Sequence, residues 1–416
     1  MGKGDRVAVL VPRSEWYLLC ALAILKAGAA YVPIETNYPD ERISYMLEDS
    51  SAKAVLVTEE TAGTIKALTS VPAIDCTIRT DSSFEDVPIG QDDPAMVLYT
   101  SGTTGNPKGA VITRRAVINV AEWYAKYTGM TSEDVYSMYT AYTFDMHTLA
   151  FYPFLICGAM LDIVPEDIRL DLHSLNDHFV KVHATHTFMT THLGKMFADL
   201  NLKSDLRFLL FIGEKLGEYT APDWIGACES YGPTESLALV TAIPVNERKD
   251  PSSVGRLLSN VRAYILDAEH RRVPYGAVGE LFLSGYQLSS GYLNNPEKNA
   301  AAFHVNPFST EKGYERIYAT GDYFRYLPDG TLGILGRRDG QIKVRGNRVE
   351  VTEVENCVRS MEGIEDVTVQ PVASASGGKE LCAYIVSSVN ITVDDIVKYF
   401  RSRKPDYMVP SFVASV

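Results

Sequence analysis

The apolar positions of the first third fall into short blocks separated by amphipathic stretches. RVAVLV (6–11), AAYVPI (29–34) and KAVLVT (53–58) each have the length and β-branched content of a buried strand. Between the first two lies an apolar run from Trp16 to Leu25. Ser14 is its candidate cap, Lys26 ends it, and Gly28 can supply a left-handed turn, so a buried helix is expected there. DERISYMLEDS (40–50) reads as an amphipathic helix. Strands alternating with helices predict α/β layers around a largely parallel sheet. The pattern returns at LRFLLFIGEKL (206–216), a strand ending at a glycine.

From about Val254 the texture changes. RAYILD, GELFLSG and TLGILG are short strands set apart by glycine-containing turns, which predicts a small, mainly antiparallel β unit over about 254–336. The polar segment 337–347 is the expected linker. Beyond it VTEVENCVRSM, DVTVQPVA, LCAYIVS and VDDIVKYFRSR give helix, strand, strand, helix. The expected architecture is therefore α/β, a large N-terminal portion (1–336) followed by a small, mobile α+β C-terminal domain (348–416).

Composition narrows the function. A chain of 416 residues, 46% hydrophobic and 22% charged, has material for two or three domain-sized units. A net charge of -13 argues against a nucleic-acid footprint. The Trp16–Leu25 run is far short of the ~20 residues a membrane span needs. Six cysteines without a Cys-x-x-Cys pair read as reduced thiols of a cytoplasmic protein. His173, His178, His183, His186 and His192 cluster, but never as His-x-x-x-His, so no metal site is expected of them.

The stretch LYTSGTTGNPKG (98–109) is the hardest to explain by folding alone. An apolar strand runs into a loop carrying Thr100, Ser101, Thr103, Thr104 and Lys108. Glycines let a backbone approach an anion, hydroxyls and N–H groups donate to phosphate oxygens, and a lysine adds charge. The nucleotide-binding P-loop requires Gly-x-x-x-x-Gly-Lys-Ser/Thr; here Pro107 stands where its second glycine belongs and Gly109 follows the lysine.

Downstream stand YGPTES (231–236), GELFLSGYQLSSGYLNNP (279–296) and ATGDYFRYLPDGTLGILGRRDGQIKVRGNRVE (319–350). Together with the loop, and in this order, they resemble the adenylation domains of nonribosomal peptide synthetases, within the AMP-forming acyl-adenylate synthetases. The resemblance runs from GDRVAVLVPRS to RKPDYMVP. It implies an amino-acid-activating ligase using ATP and magnesium, then passing the acyl group to phosphopantetheine on a peptidyl carrier protein beside neighbouring synthetase domains.

The resemblance also implies roles. Thr100, Ser101, Gly102, Thr103, Thr104, Gly105 and Lys108 would wrap the phosphates. Tyr231 would stack on adenine, Thr234 contact phosphate and Glu235 bind magnesium. Asp322 would accept from both ribose hydroxyls, a vicinal diol suiting its two oxygens. Arg337, Gly213 and Glu214 would also reach the nucleotide, and Asp339 would be the hinge. In YTFDMHTLAFYPFLICG (142–158), Asp145 matches the aspartate that pairs with an α-ammonium, which favours an amino acid over a fatty acid. Met146, Leu149, Thr187, Leu210, Ile212, Ser230, Ala238 and Leu239 would line the rest of the pocket. That set carries no second charge, so an apolar side chain is expected. Family members begin earlier and continue past PDYMVP into a loop with a catalytic lysine, so the chain is expected to be a fragment of a larger synthetase with impaired adenylate formation. The alternatives are an acyl-CoA synthetase of the same superfamily and a nucleotide-binding remnant with little turnover.

Overall fold

The computed structural model describes residues 1–78, 87–101, 106–338, 342–344, 347–373, 379–389 and 391–415. The strands expected near the N-terminus form at Arg6–Leu10, Ala30–Pro33 and Ala54–Val57, all pairing in parallel. They belong to a seven-stranded sheet that Pro94–Thr100 and Lys108–Thr113 extend as an antiparallel hairpin. The first helix spans Glu15–Lys26, with Ser14 at the N-cap and Gly28 at φ 81. Ser14 Oγ donates to the Pro12 carbonyl instead of capping the helix.

A twelve-stranded sheet carries the second lobe. One half is parallel: Val135–Met138, Met160–Ile163, His186–Thr190, Phe208–Ile212 and Gly226–Tyr231. The other half is antiparallel and contains the β-rich stretch expected from Val254. That stretch is no separate sheet. Gly226–Tyr231 pairs with Thr241–Pro244, which pairs with Ser253–Leu257, so the ladder continues across the expected boundary.

The C-terminal portion has its own core, including Val354, Val358, Ile385, Phe400 and Met408. Its core begins inside the expected linker. Ile342–Val344 and Asn347–Val349 form a hairpin whose Ile342, Val344 and Val349 are buried with that cluster. The apolar residues alternate with charged ones there, as a half-buried strand requires. A third strand, Phe412–Ser415, runs parallel to Lys379–Ser387 and was not expected. Among the described residues no helix is long and apolar enough to cross a membrane, and all six cysteines are free thiols.

Candidate active site

The C-terminal ends of the parallel strands of both sheets open on one cavity of about 1300 Å³, with the C-terminal portion forming part of its wall. Ligands of open α/β sheets gather at this edge, where the loops leave the strands. Thr100 and Ser101 lie at the tip of the Pro94–Thr100 strand and line the cavity. Thr100 Oγ1 is buried and makes no hydrogen bond among the described residues. Gly102, Thr103, Thr104 and Gly105 lie outside the described residues, as does Asp339.

Tyr231, Asp322 and Arg337 come together in the cavity wall. Asp322 and Arg337 face each other across antiparallel strands. The Arg337 guanidinium donates to Asp322 Oδ1 at 3.0 Å and to the Thr320 carbonyl at 3.3 Å. Tyr231 Oη donates to Asp322 Oδ2 at 2.5 Å, and its ring meets Phe324 edge-on at 5.0 Å. Burial, then the Asp322 charge, push the Tyr231 phenol well above its usual range. The chain must turn hard after Tyr231. A Cβ on Gly232 would stand 2.0 Å from the Ala238 carbonyl oxygen, so only glycine fits. Leu237 and Ala238 follow at φ 45 and 63. Gln287, buried, clasps this loop by donating to the Ser236, Leu237 and Leu239 carbonyls, while its Oε1 accepts from Asn119.

Glu235 and Lys108 meet just behind the cavity wall. Glu235 is fully buried. Lys108 Nζ lies 3.2 Å from its Oε1 and 2.9 Å from Tyr292 Oη, and Tyr292 donates to the same Oε1 at 2.5 Å. The Lys108 ammonium also sits 4.3 Å from the centre of the Tyr292 ring. The opposite charge and two donors offset the cost of burying the carboxylate. Thr234, one residue earlier, lines the cavity itself.

Asp145 lines the same cavity beside Thr234 and Ala238. It sits in the turn before the helix His147–Cys157 and is 9% exposed. Burial raises its pKa above the usual range, against a hydrogen bond from the Thr234 side chain, the charge of Lys343 and the Ala238 N–H. Met146, Ile212, Ser230 and Ala238 line the cavity with it, and so do Gly213 and Glu214. Leu149, Thr187, Leu210 and Leu239 are not in that wall. They are buried deeper: Thr187 Oγ1 is satisfied by the Ser137 carbonyl at 2.8 Å, and the three leucines pack into the main core. Leu210 lies two residues below Ile212 on one strand, and that depth places it under the floor.

Sequence reasoning missed Tyr292 and Gln287, although both stand in the quoted stretch 279–296. It also missed Lys343, which reaches the cavity from a segment read as linker. The alternating IKV between two glycines was the available signal.

Comparisons with known proteins bear on the family and the fold. Residues 1–293 match the family described as AMP-binding enzyme. Bacitracin synthase 1 of Bacillus licheniformis is 34% identical over 411 residues, covering 98% of this chain. The chain spans 8% of that relative's length. Among solved structures, an artificially fused adenylation–PCP di-domain, NpsA-ThdA of Klebsiella oxytoca, superposes with a TM-score of 0.87 at 22% identity, covering 100% of this chain and 84% of that one. A malonyl-CoA ligase with methylmalonyl-CoA and AMP bound gives 0.83 at 25% identity, covering 99% and 90%.

Proposed function

The chain belongs to the AMP-binding enzyme family, and from that premise we propose that it activates an amino acid with an apolar side chain as its adenylate. The observation that carries this reading is Asp145: a buried carboxylate lining a cavity whose nearby wall includes Met146, Ile212 and Ala238. An α-ammonium would meet that charge directly, whereas a plain acid would leave it only the partial compensation of Thr234, the Ala238 N–H and Lys343.

In this reading a substrate carboxylate oxygen attacks the α-phosphorus of ATP, and the bond to pyrophosphate breaks. Tyr231 and Asp322 hold the adenosine, with Arg337 orienting Asp322. Asp322 already accepts from Tyr231 and Arg337, so a ribose diol takes over part of an existing network. Thr100, Ser101, Thr234 and Lys108 bind phosphate oxygens.

The oxygen donors suit magnesium, which takes one or two carboxylates plus substrate phosphates and water. Among the described residues no cluster of three or more His, Cys, Asp or Glu is gathered. Glu235 would hold it, with Thr100 and Thr234 nearby, once Lys108 has turned from Glu235 to the phosphates. A bound magnesium would spread the charge of the phosphates in the transition state. A phosphopantetheine thiol of a carrier protein would then attack the acyl carbon and release AMP.

Amino-acid-dependent exchange of pyrophosphate into ATP tests the reading. Exchange with one or a few apolar amino acids, dependent on magnesium, is the expected result. Exchange with fatty, aryl or dicarboxylic acids and none with amino acids would replace it by an acyl-CoA synthetase, the reading favoured by the malonyl-CoA ligase likeness.

A further inference from the structure

Asp145 is set in place from the other lobe of the molecule. The segment 138–143, which leads from the strand Val135–Met138 to Asp145, is held by side chains from residues 13–38, which follow strands of the seven-stranded sheet. The Arg13 guanidinium donates to the Val164 carbonyl at 2.6 Å, to Thr140 at 2.7 Å and to Met138. Tyr142 stacks on Tyr17 with ring centres 3.7 Å apart and exchanges hydrogen bonds with the Ser14 backbone. Tyr38 Oη donates to Thr143 Oγ1 at 3.1 Å.

Glu35 completes this set, at the cavity wall itself. Its Oε1 accepts the Tyr142 N–H at 3.0 Å and, at the limit of a hydrogen bond, the Thr143 N–H and hydroxyl at 3.4 Å each. Those amides stand three and two residues before Asp145, at the start of the turns in which Phe144 N–H bonds the Ala141 carbonyl and His147 N–H bonds Phe144. Fixing amides 142 and 143 therefore constrains the backbone that carries Asp145. Burial opposes keeping a charge at Glu35, against the Thr143 N–H and the charges of Arg169 and Arg13.

We propose that Glu35 is a positioning residue for substrate selection: by holding the amides of Tyr142 and Thr143 across the junction of the two lobes, it aims Asp145 at the substrate's α-ammonium. The inference rests on the amino-acid reading of the site. It assigns Glu35 no contact with the reacting atoms. Arg13 acts on the same segment through its carbonyls, so the pair grips both polarities of one stretch of backbone.

The test measures the worth of the ammonium directly. Leucyl- and phenylalanyl-sulfamoyladenosine, each beside its counterpart lacking the amino group, and AMP alone are titrated calorimetrically into the wild type, Glu35→Ala, Glu35→Asp and Glu35→Gln. In the wild type the amino form of at least one pair binds more tightly. Glu35→Ala loses about tenfold of that preference, the scale of a lost hydrogen bond to a charged group, while AMP affinity is unchanged. Glu35→Gln keeps the preference, because an amide oxygen accepts the same N–H groups. Glu35→Asp, a methylene short, falls between and serves if the alanine variant does not fold. A wild type without any preference sinks the amino-acid reading and this proposal together. A wild-type preference kept intact in Glu35→Ala and Glu35→Asp, or lost equally in Glu35→Gln, or lost together with AMP binding, overturns the positioning role alone.

Discussion

Buried acids stand in and just behind the wall of the cavity, and they are accommodated differently. Asp322 faces the Arg337 guanidinium and the Tyr231 hydroxyl, and Glu235 behind the wall faces Lys108 and Tyr292. These groups are paired from within the large portion of the chain. Asp145 draws on neutral donors, Thr234 and Ala238, and on the charge of Lys343, which belongs to the C-terminal portion; burial still dominates and raises its pKa. The first arrangement supplies its own partners in the ligand-free protein. The second holds a charge at a cost that an arriving cation would relieve. Stability and specificity are thus assigned to different acids of one cavity.

The largest test of that division is Asp145→Ala. With the ammonium left behind, binding of the preferred aminoacyl-sulfamoyladenosine should weaken by ~3–5 kcal/mol, while AMP binding stays as it was. Calorimetry of both ligands checks this, and equal losses would break the comparison. Lys108→Met should act on folding instead. It strips the buried Glu235 of its cation and should lower unfolding free energy in urea by about 3 kcal/mol, with part recovered in Lys108→Met/Glu235→Gln.

Asp→Asn replacements probe the contrast by sign. Asp322→Asn weakens its hydrogen bonds with Arg337 and Tyr231, and should destabilise the ligand-free protein by ~1–3 kcal/mol at pH 7. Asp145→Asn should stabilise it, by removing a charge that burial disfavours. The pH dependence follows from the raised pKa. An aspartate whose folded pKa exceeds the unfolded value of ~3.9 weakens the fold as pH rises between the two, and costs nothing below both. The gain from Asp145→Asn should therefore grow as pH rises above the unfolded value and vanish toward pH ~3, as read from denaturation midpoints in acid and neutral buffer. A destabilising Asp145→Asn at pH 7 would mean that Asp145 is as well compensated as Asp322.

Much of this was legible in the sequence, where the signal is local. Apolar blocks of strand length became strands at Arg6–Leu10, Ala30–Pro33, Ala54–Val57 and Phe208–Ile212. Asp145, Tyr231, Thr234, Asp322 and Arg337, named from their motifs, do line one cavity. What escaped depends on distance along the chain or depth within a sheet. Tyr292 lies 184 positions from Lys108, and Glu35 lies 107 from Tyr142, so neither partner marks the other. Spacing along a strand gives the face of a residue but not its depth, which is why Leu210 and Thr187 were placed in a wall they lie beneath. The hairpin from Ile342 to Val349 was hidden by the glycines and charges around its apolar residues.

If the cavity holds the proposed amino-acid substrate, the positive φ of Ala238 limits how that pocket can be redesigned. At φ 63 a β-branched side chain is strongly disfavoured, so valine or isoleucine there would strain the backbone before it touched any substrate. Glycine relieves that strain and widens the chamber in one step. Met146 at φ -62 carries no such restriction and can vary in volume. A library aimed at new substrates should therefore confine position 238 to alanine, glycine or asparagine and place its larger diversity at position 146.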